Sequence, residues 1–194
     1  MSNVLFNSAG KRKYLTSEER LAFITMAKSW PREVRTFCLV LAYTGCRISE
    51  ALQLSADRVD LGGGMVVLET LKKRRSGVYR AVPVPPALLD ALELVHGISE
   101  AQKRPDGGAG LRLWPWSRST AWRRVQEVMQ ATGISGPQAS PKGLRHGFGV
   151  AAVQANIPLN LVQRWLGHAD LATTAIYVDA VGVEEKELAA RMWQ

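Results

Sequence analysis

Residues 62–85 interrupt an otherwise helical pattern, and that interruption limits the folds open to the chain. Gly62-Gly63-Gly64 breaks the preceding segment. Met65 to Thr70 (MVVLET) is then a β-type run, KKRRSG a basic turn, and VYRAVPVP alternates apolar with other positions. Two such runs around a short turn form a β-hairpin, here with a positively charged tip. Everything around it repeats at the helical period, so the expected class is α+β. The expectation is a mostly helical single domain with one small antiparallel sheet.

The helical segments carry their own end signals. Thr16-Ser17-Glu18-Glu19 reads as a helix start, with Thr16 or Ser17 as cap and acids in the first turn. Pro31 opens the next helix, and VRTFCLVLAYTG reads as a buried helix closed by Gly45. ISEALQL continues as a short helix. Beyond the hairpin, PPALLDALELVHG, SRSTAWRRVQEVMQATG and SPKGLRHGFGVAAVQA resume the pattern. PLNLVQRWLGH has Pro158 near its start and Gly167 at its end, and DLATTAIYVDAV and EEKELAARMW are both helix-like. Residues 104–112 (RPDGGAGLR) form the most flexible-looking loop. No internal repeat divides the chain, and 194 residues suffice for one well-cored domain.

Charge narrows the partners. A formal net charge of +8 and a pI near 9.9 favour a polyanion, with nucleic acid first and a merely solubilising basic surface as the alternative. The cations cluster at Lys11-Arg12-Lys13, at Lys72-Lys73-Arg74-Arg75 and at Arg118, Arg123 and Arg124. No apolar run approaches a membrane span, and MSNVLFNSAGKRKY lacks a signal-peptide core. Cys38 and Cys46 make no disulfide framework, which suggests a reducing, intracellular setting. The three histidines and two cysteines show no paired-ligand spacing, so no metal is expected. GGG is not followed by Gly-Lys-Ser/Thr, so nucleotide hydrolysis has no support and no cofactor is expected.

Two arginines stand inside apolar helical stretches: Arg47 in TGCRISEAL, with Glu50 three positions on to orient it, and Arg145 in LRHGFGVAAV. Singly, each is more often structural than functional. Together they suit one phosphate, because the planar guanidinium fork matches phosphate oxygens bidentately.

The order TGCRISEAL, strand–KKRR–strand, SPKGLRHGFGVAAV, LVQRWLGHADLATTAIYVDA resembles the tyrosine recombinases, or phage integrase family. The matching segments span roughly residues 14–180, the catalytic domain of that family, leaving 1–13 as a basic extension and 181–194 as a tail helix. The resemblance implies that Arg47 and Arg145 hold the scissile phosphate, His168 hydrogen-bonds to it, Tyr177 is the nucleophile, and Lys72, with Lys73 adjacent, protonates the leaving 5′-hydroxyl. Lys73, Arg74 and Arg75 would contact DNA. The family most often has His where this chain has Lys142. A lysine there can donate to phosphate, but an unperturbed lysine titrates at about 10.4, so this residue type is no neutral base near pH 7. That leaves His168 as the better candidate to assist Tyr177, with His146 read as a buried structural residue.

The implied activity is site-specific cleavage and rejoining of double-stranded DNA through a covalent 3′-phosphotyrosine. A type IB topoisomerase-like activity or a non-catalytic DNA-binding regulator are the alternatives. The family usually carries a separate N-terminal DNA-binding helical domain, so here that domain either has been removed or is naturally lacking. A homotetramer on DNA, a monomer when free, no membrane, and a place in the cytoplasm at the nucleoid complete the expectation.

Overall fold

The computed structural model describes residues 5–71, 77–178 and 191–193. Its elements are α1 (Ser17–Lys28), α2 (Arg32–Thr44), α3 (Ile48–Ala51), a 3₁₀ turn (Ala56–Arg58), β1 (Val59–Asp60), β2 (Met65–Glu69), β3 (Tyr79–Pro83), α4 (Pro86–His96), α5 (Ile98–Gln102), α6 (Arg118–Ala131), α7 (Pro141–Gln154), α8 (Leu159–Leu166), α9 (Ala172–Ala175) and a final 3₁₀ turn (Arg191–Trp193).

α2 is the central helix. From Val34 to Thr44 nearly every side chain is buried, and α1, α4, α6 and α7 pack around it. Thr16 is the cap of α1: its hydroxyl accepts from the Glu19 N–H while the Glu19 side chain returns to the Thr16 N–H, a reciprocal box that satisfies two donors. Gly45 ends α2 in the left-handed region at φ 61°. Space as well as conformation requires glycine there, because a Cβ would lie 2.5 Å from the Phe148 ring and 2.9 Å from Leu166.

The hairpin is present and antiparallel, with Val66 opposite Val82 and Leu68 opposite Arg80. A third strand, β1, extends it on the β2 side through the Gly62–Gly64 turn, where Asp60 accepts from the Gly63 N–H at 2.7 Å. Val66, Leu68, Arg80 and Val82 form its buried face. One of the four is therefore an arginine.

Two further segments depart from the sequence expectation. Residues 104–112 are a compact turn in which the Asp106 carboxylate accepts from the N–H groups of Gly108 and Gly110. DLATTAIYVDAV does not begin as one continuous helix: α9 stops at Ala175, and the Tyr177 N–H donates to Thr174 in a tighter, three-residue turn. Thr173, Thr174 and Ile176 are β-branched and weaken helix propagation there. The expected 181–194 tail helix falls largely outside the described residues, of which Arg191–Trp193 is a 3₁₀ turn. The hairpin tip, including Lys72, Lys73, Arg74 and Arg75, also lies outside them.

Candidate active site

Two helix ends meet at Arg145. The residue sits in α7, buried at 7 % exposure. Its Nη1 donates to the Gly45 carbonyl and its Nη2 to the Leu166 carbonyl, each at 2.8 Å. Those carbonyls belong to the C-terminal ends of α2 and α8, both closed by left-handed glycines, where the helix dipole favours a cation. Burial, then the charge of Arg47, pulls the Arg145 pKa down to about 10. It is still protonated at neutral pH.

Arg47 precedes α3, and Glu50 holds it in place: Nη1 reaches Oε1 at 2.7 Å, and the Arg47 N–H reaches Oε2 at 2.9 Å. The expected orienting role of Glu50 therefore has a geometric basis, but the carboxylate is shared. Arg80 Nη2 lies 2.6 Å from the same Oε2. Burial would raise the Glu50 pKa. The Arg80 charge and the bonds from Arg47 and Arg80 outweigh it, so the carboxyl lies below its ordinary value. The Arg47 side chain keeps 38 % exposure and so reaches beyond its carboxylate into the cleft.

That cleft has a volume of about 440 Å³ and is lined by Arg47, Arg118, Trp122, Lys142, Arg145, His146 and His168, among others. Lys142 occupies the first turn of α7 beside the Ser140 cap. A helix dipole disfavours a cation at that end, so the charge is set there against local preference.

Tyr177 is fully buried. Its ring presses on Gly149 of α7, where a Cβ would come within 2.6 Å of it. Its hydroxyl lies 3.1 Å from His146 Nδ1. His168 stacks against the tyrosine ring, with centroids 6.2 Å apart, and its Nδ1 meets the Thr174 hydroxyl at 2.9 Å. The residue on the tyrosine hydroxyl is thus His146. Burial, then the charges of Lys142 and Arg145, lower the His146 pKa to about 4, and burial raises that of Tyr177 while Arg145 and Arg47 oppose the rise.

The structure brings Arg47, Glu50, Lys142, Arg145, His146, His168 and Tyr177 into one neighbourhood. The sequence reading missed Arg80 and Trp122, and counted Arg118 only as surface charge. The signal for Arg80 was its phase: it shares the strand face of Val82 and Val84. Trp122 follows Arg118 by one helical turn in α6, on the side turned to the cleft.

Converging cations beside a buried tyrosine, on a helical scaffold with one small sheet, define an α+β domain whose cleft has the charge to suit an anion. Residues 13–182 match the phage integrase family, and the chain belongs to it. It is 35% identical over 144 residues to tyrosine recombinase XerD of Mycobacterium tuberculosis, covering 71% of this chain and 45% of the relative. It is 28% identical over 186 residues to tyrosine recombinase XerA of Pyrococcus furiosus, covering 92% of this chain and 61% of that one. Among solved structures, the XerH site-specific recombinase in a post-cleavage complex with a palindromic difH substrate matches with a TM-score of 0.72 at 25% identity, over 96% of this chain and 55% of that one. The chain spans about half the length of the first curated relatives it matches.

Proposed function

We propose that this chain carries out site-specific cleavage and rejoining of double-stranded DNA through Tyr177. The observation that carries the reading is the convergence of Arg47, Lys142 and Arg145 on one cleft whose wall includes His146, the partner of the Tyr177 hydroxyl. A phosphodiester is anionic, so most of the rate gain must come from fixed charge and positioning, which these cations supply.

In this reading Arg47 and Arg145 grip the scissile phosphate, with Lys142 and His168 donating to it. The tyrosine oxygen attacks phosphorus, a 3′-phosphotyrosine bond forms, and the bond to O5′ breaks. The phenolic proton passes to solvent water, and Lys72 supplies a proton to the departing 5′-oxygen, which leaves as the 5′-hydroxyl. The covalent link conserves the bond energy, so a second 5′-hydroxyl reseals the strand without a high-energy cofactor. Lys73, Arg74 and Arg75 would contact the DNA backbone near the hairpin tip. Residues 14–180 would form the catalytic unit, acting at the nucleoid as a homotetramer assembled on DNA.

A duplex carrying the cognate site and a nick beside the cleavage point traps the intermediate, because the short released strand diffuses away. Denaturing electrophoresis should show a protein–DNA adduct with wild type and none with Tyr177→Phe. Absence of adduct from wild type on a site it demonstrably binds would overturn the reading in favour of a DNA-binding regulator.

A further inference from the structure

Among the described residues Glu50, Arg80 and Arg145 are the buried carboxylate and guanidinium groups, and Arg80 has no part in the chemistry above. Its side chain is 4 % exposed, yet each of its three nitrogens is engaged, and in three different directions. Nε donates to the Trp165 carbonyl at 2.7 Å, Nη1 to the Thr70 hydroxyl at 2.9 Å, and Nη2 to Glu50 at 2.6 Å.

Each partner leads to a different part of the site. Thr70 closes the described end of the hairpin, its N–H bonded to the Val78 carbonyl at 2.8 Å, two residues before Lys72. Glu50 orients Arg47. Trp165 lies in the last turn of α8, followed by Gly167 and His168. The guanidinium also rests on Gly167, where a Cβ would come within 3.0 Å of its central carbon.

Stability alone does not account for a buried arginine on a sheet face. A buried ion pair contributes little net stability compared with a well-packed apolar residue, and Leu68, Val66 and Val82 show that this face accepts aliphatic side chains. One planar fork with diverging donors does what an aliphatic residue cannot: it fixes three elements relative to one another. We propose that Arg80 is a positioning residue for strand cleavage, setting the hairpin end that bears the lysine acid, the carboxylate that aims Arg47, and the corner that bears His168. The inference rests on the roles proposed above for Arg47 and Lys72.

Arg80→Lys keeps the buried cation, and with it the fold, but offers donors from a single point; Arg80→Gln removes the charge as well. Both variants are compared with wild type in single-turnover cleavage of the nicked duplex, with an ordinary 5′-oxygen leaving group and with a 5′-bridging sulfur, which departs as a thiolate and needs no acid. Melting temperature and DNA affinity are read in parallel. Lys72→Ala, Lys73→Ala and Arg47→Lys calibrate the two signatures: loss of the acid is rescued by sulfur, and loss of the phosphate grip is not. For Arg80→Lys we expect DNA affinity near wild type, cleavage of the oxygen substrate lowered on the order of 10- to 100-fold, and a clearly smaller loss on the sulfur substrate.

Wild-type cleavage by Arg80→Lys on both substrates, or a loss matched by lost DNA binding or melting, overturns the proposal. An equal loss on both substrates, with the lysine variants rescued, overturns the coupling to the hairpin while leaving the hairpin acid intact. If neither lysine variant is rescued by sulfur, the assignment of the acid fails first, and the proposal falls with it.

Discussion

Burial sets the charge states of His146 and Tyr177, the pair closest to the proposed chemistry. Handing the phenolic proton to His146 would move it from a phenol that burial holds above its ordinary value to an imidazole that burial holds down near 4, so the transfer is strongly uphill. His146 therefore holds a neutral phenol, and ionisation belongs with the positive charge of Arg47 and Arg145. The same burial makes stability depend on pH. An unfolded histidine titrates at about 6.5, so between that pH and about 4 the unfolded chain binds a proton that folded His146 refuses. Stability should be full above pH 6.5 and fall as pH drops through this window, by on the order of 3 kcal/mol for His146. Melting temperatures at pH 7, 6 and 5 check this. His146→Gln should flatten the pH 5–7 slope; an unchanged slope would assign the acid lability elsewhere. His96 adds in the same direction, since burial lowers its pKa to about 4 too.

At the scale of elements, the left-handed caps separate conformational cost from steric cost. Gly97 ends α4 at φ 59° with open space where a Cβ would stand, whereas Gly45 has Phe148 and Leu166 there. Gly97→Ala should cost about 1–2 kcal/mol from backbone strain alone. Gly45→Ala adds overpacking of typically 1–3 kcal/mol, and it displaces a carbonyl that holds Arg145. Urea titration of the two variants measures the difference, and equal losses would mean that Phe148 yields freely. These caps also mark what could be read in advance. The glycines at 45 and 167 and the hairpin all announced themselves through local chemistry. β1, two residues long, is too short for any period to register. The segment from Asp170 carried a helical pattern, but the Thr174 hydroxyl is committed to His168, a contact no local rule foresees. Arg80 was visible as an out-of-place charge on an apolar strand face, but its partners lie 10, 30 and 85 residues away along the chain. Likewise, Arg47, Arg145 and Tyr177 were legible through their ordered motifs, whereas the seat of the tyrosine hydroxyl on His146 depends on how α7 packs against the turn after α9.

For the molecule as a whole, a net charge of +8 and a cation-lined cleft predict DNA binding dominated by counterion release. Neutralising about five phosphates gives a slope of roughly −4.5 in log affinity against log salt. Fluorescence anisotropy with a labelled duplex across a salt series measures it. Arg118→Ala, at the cleft edge, should reduce the slope by about 1, and a slope near zero would exclude the phosphate backbone as the main contact.

The complete burial of Tyr177 under Gly149 has a consequence for the DNA around the protein. A nucleophile with no accessible surface is shielded from the many phosphodiesters that a basic molecule meets while sliding along a genome. Under the proposed chemistry, severing a strand requires the correct site to coax the ring from its seat. Under that chemistry the packing of one glycine against one aromatic ring would guard the nucleophile, and Gly149→Ala, whose Cβ would come within 2.6 Å of the ring, should raise nicking of non-cognate duplex; unchanged nicking would refute this.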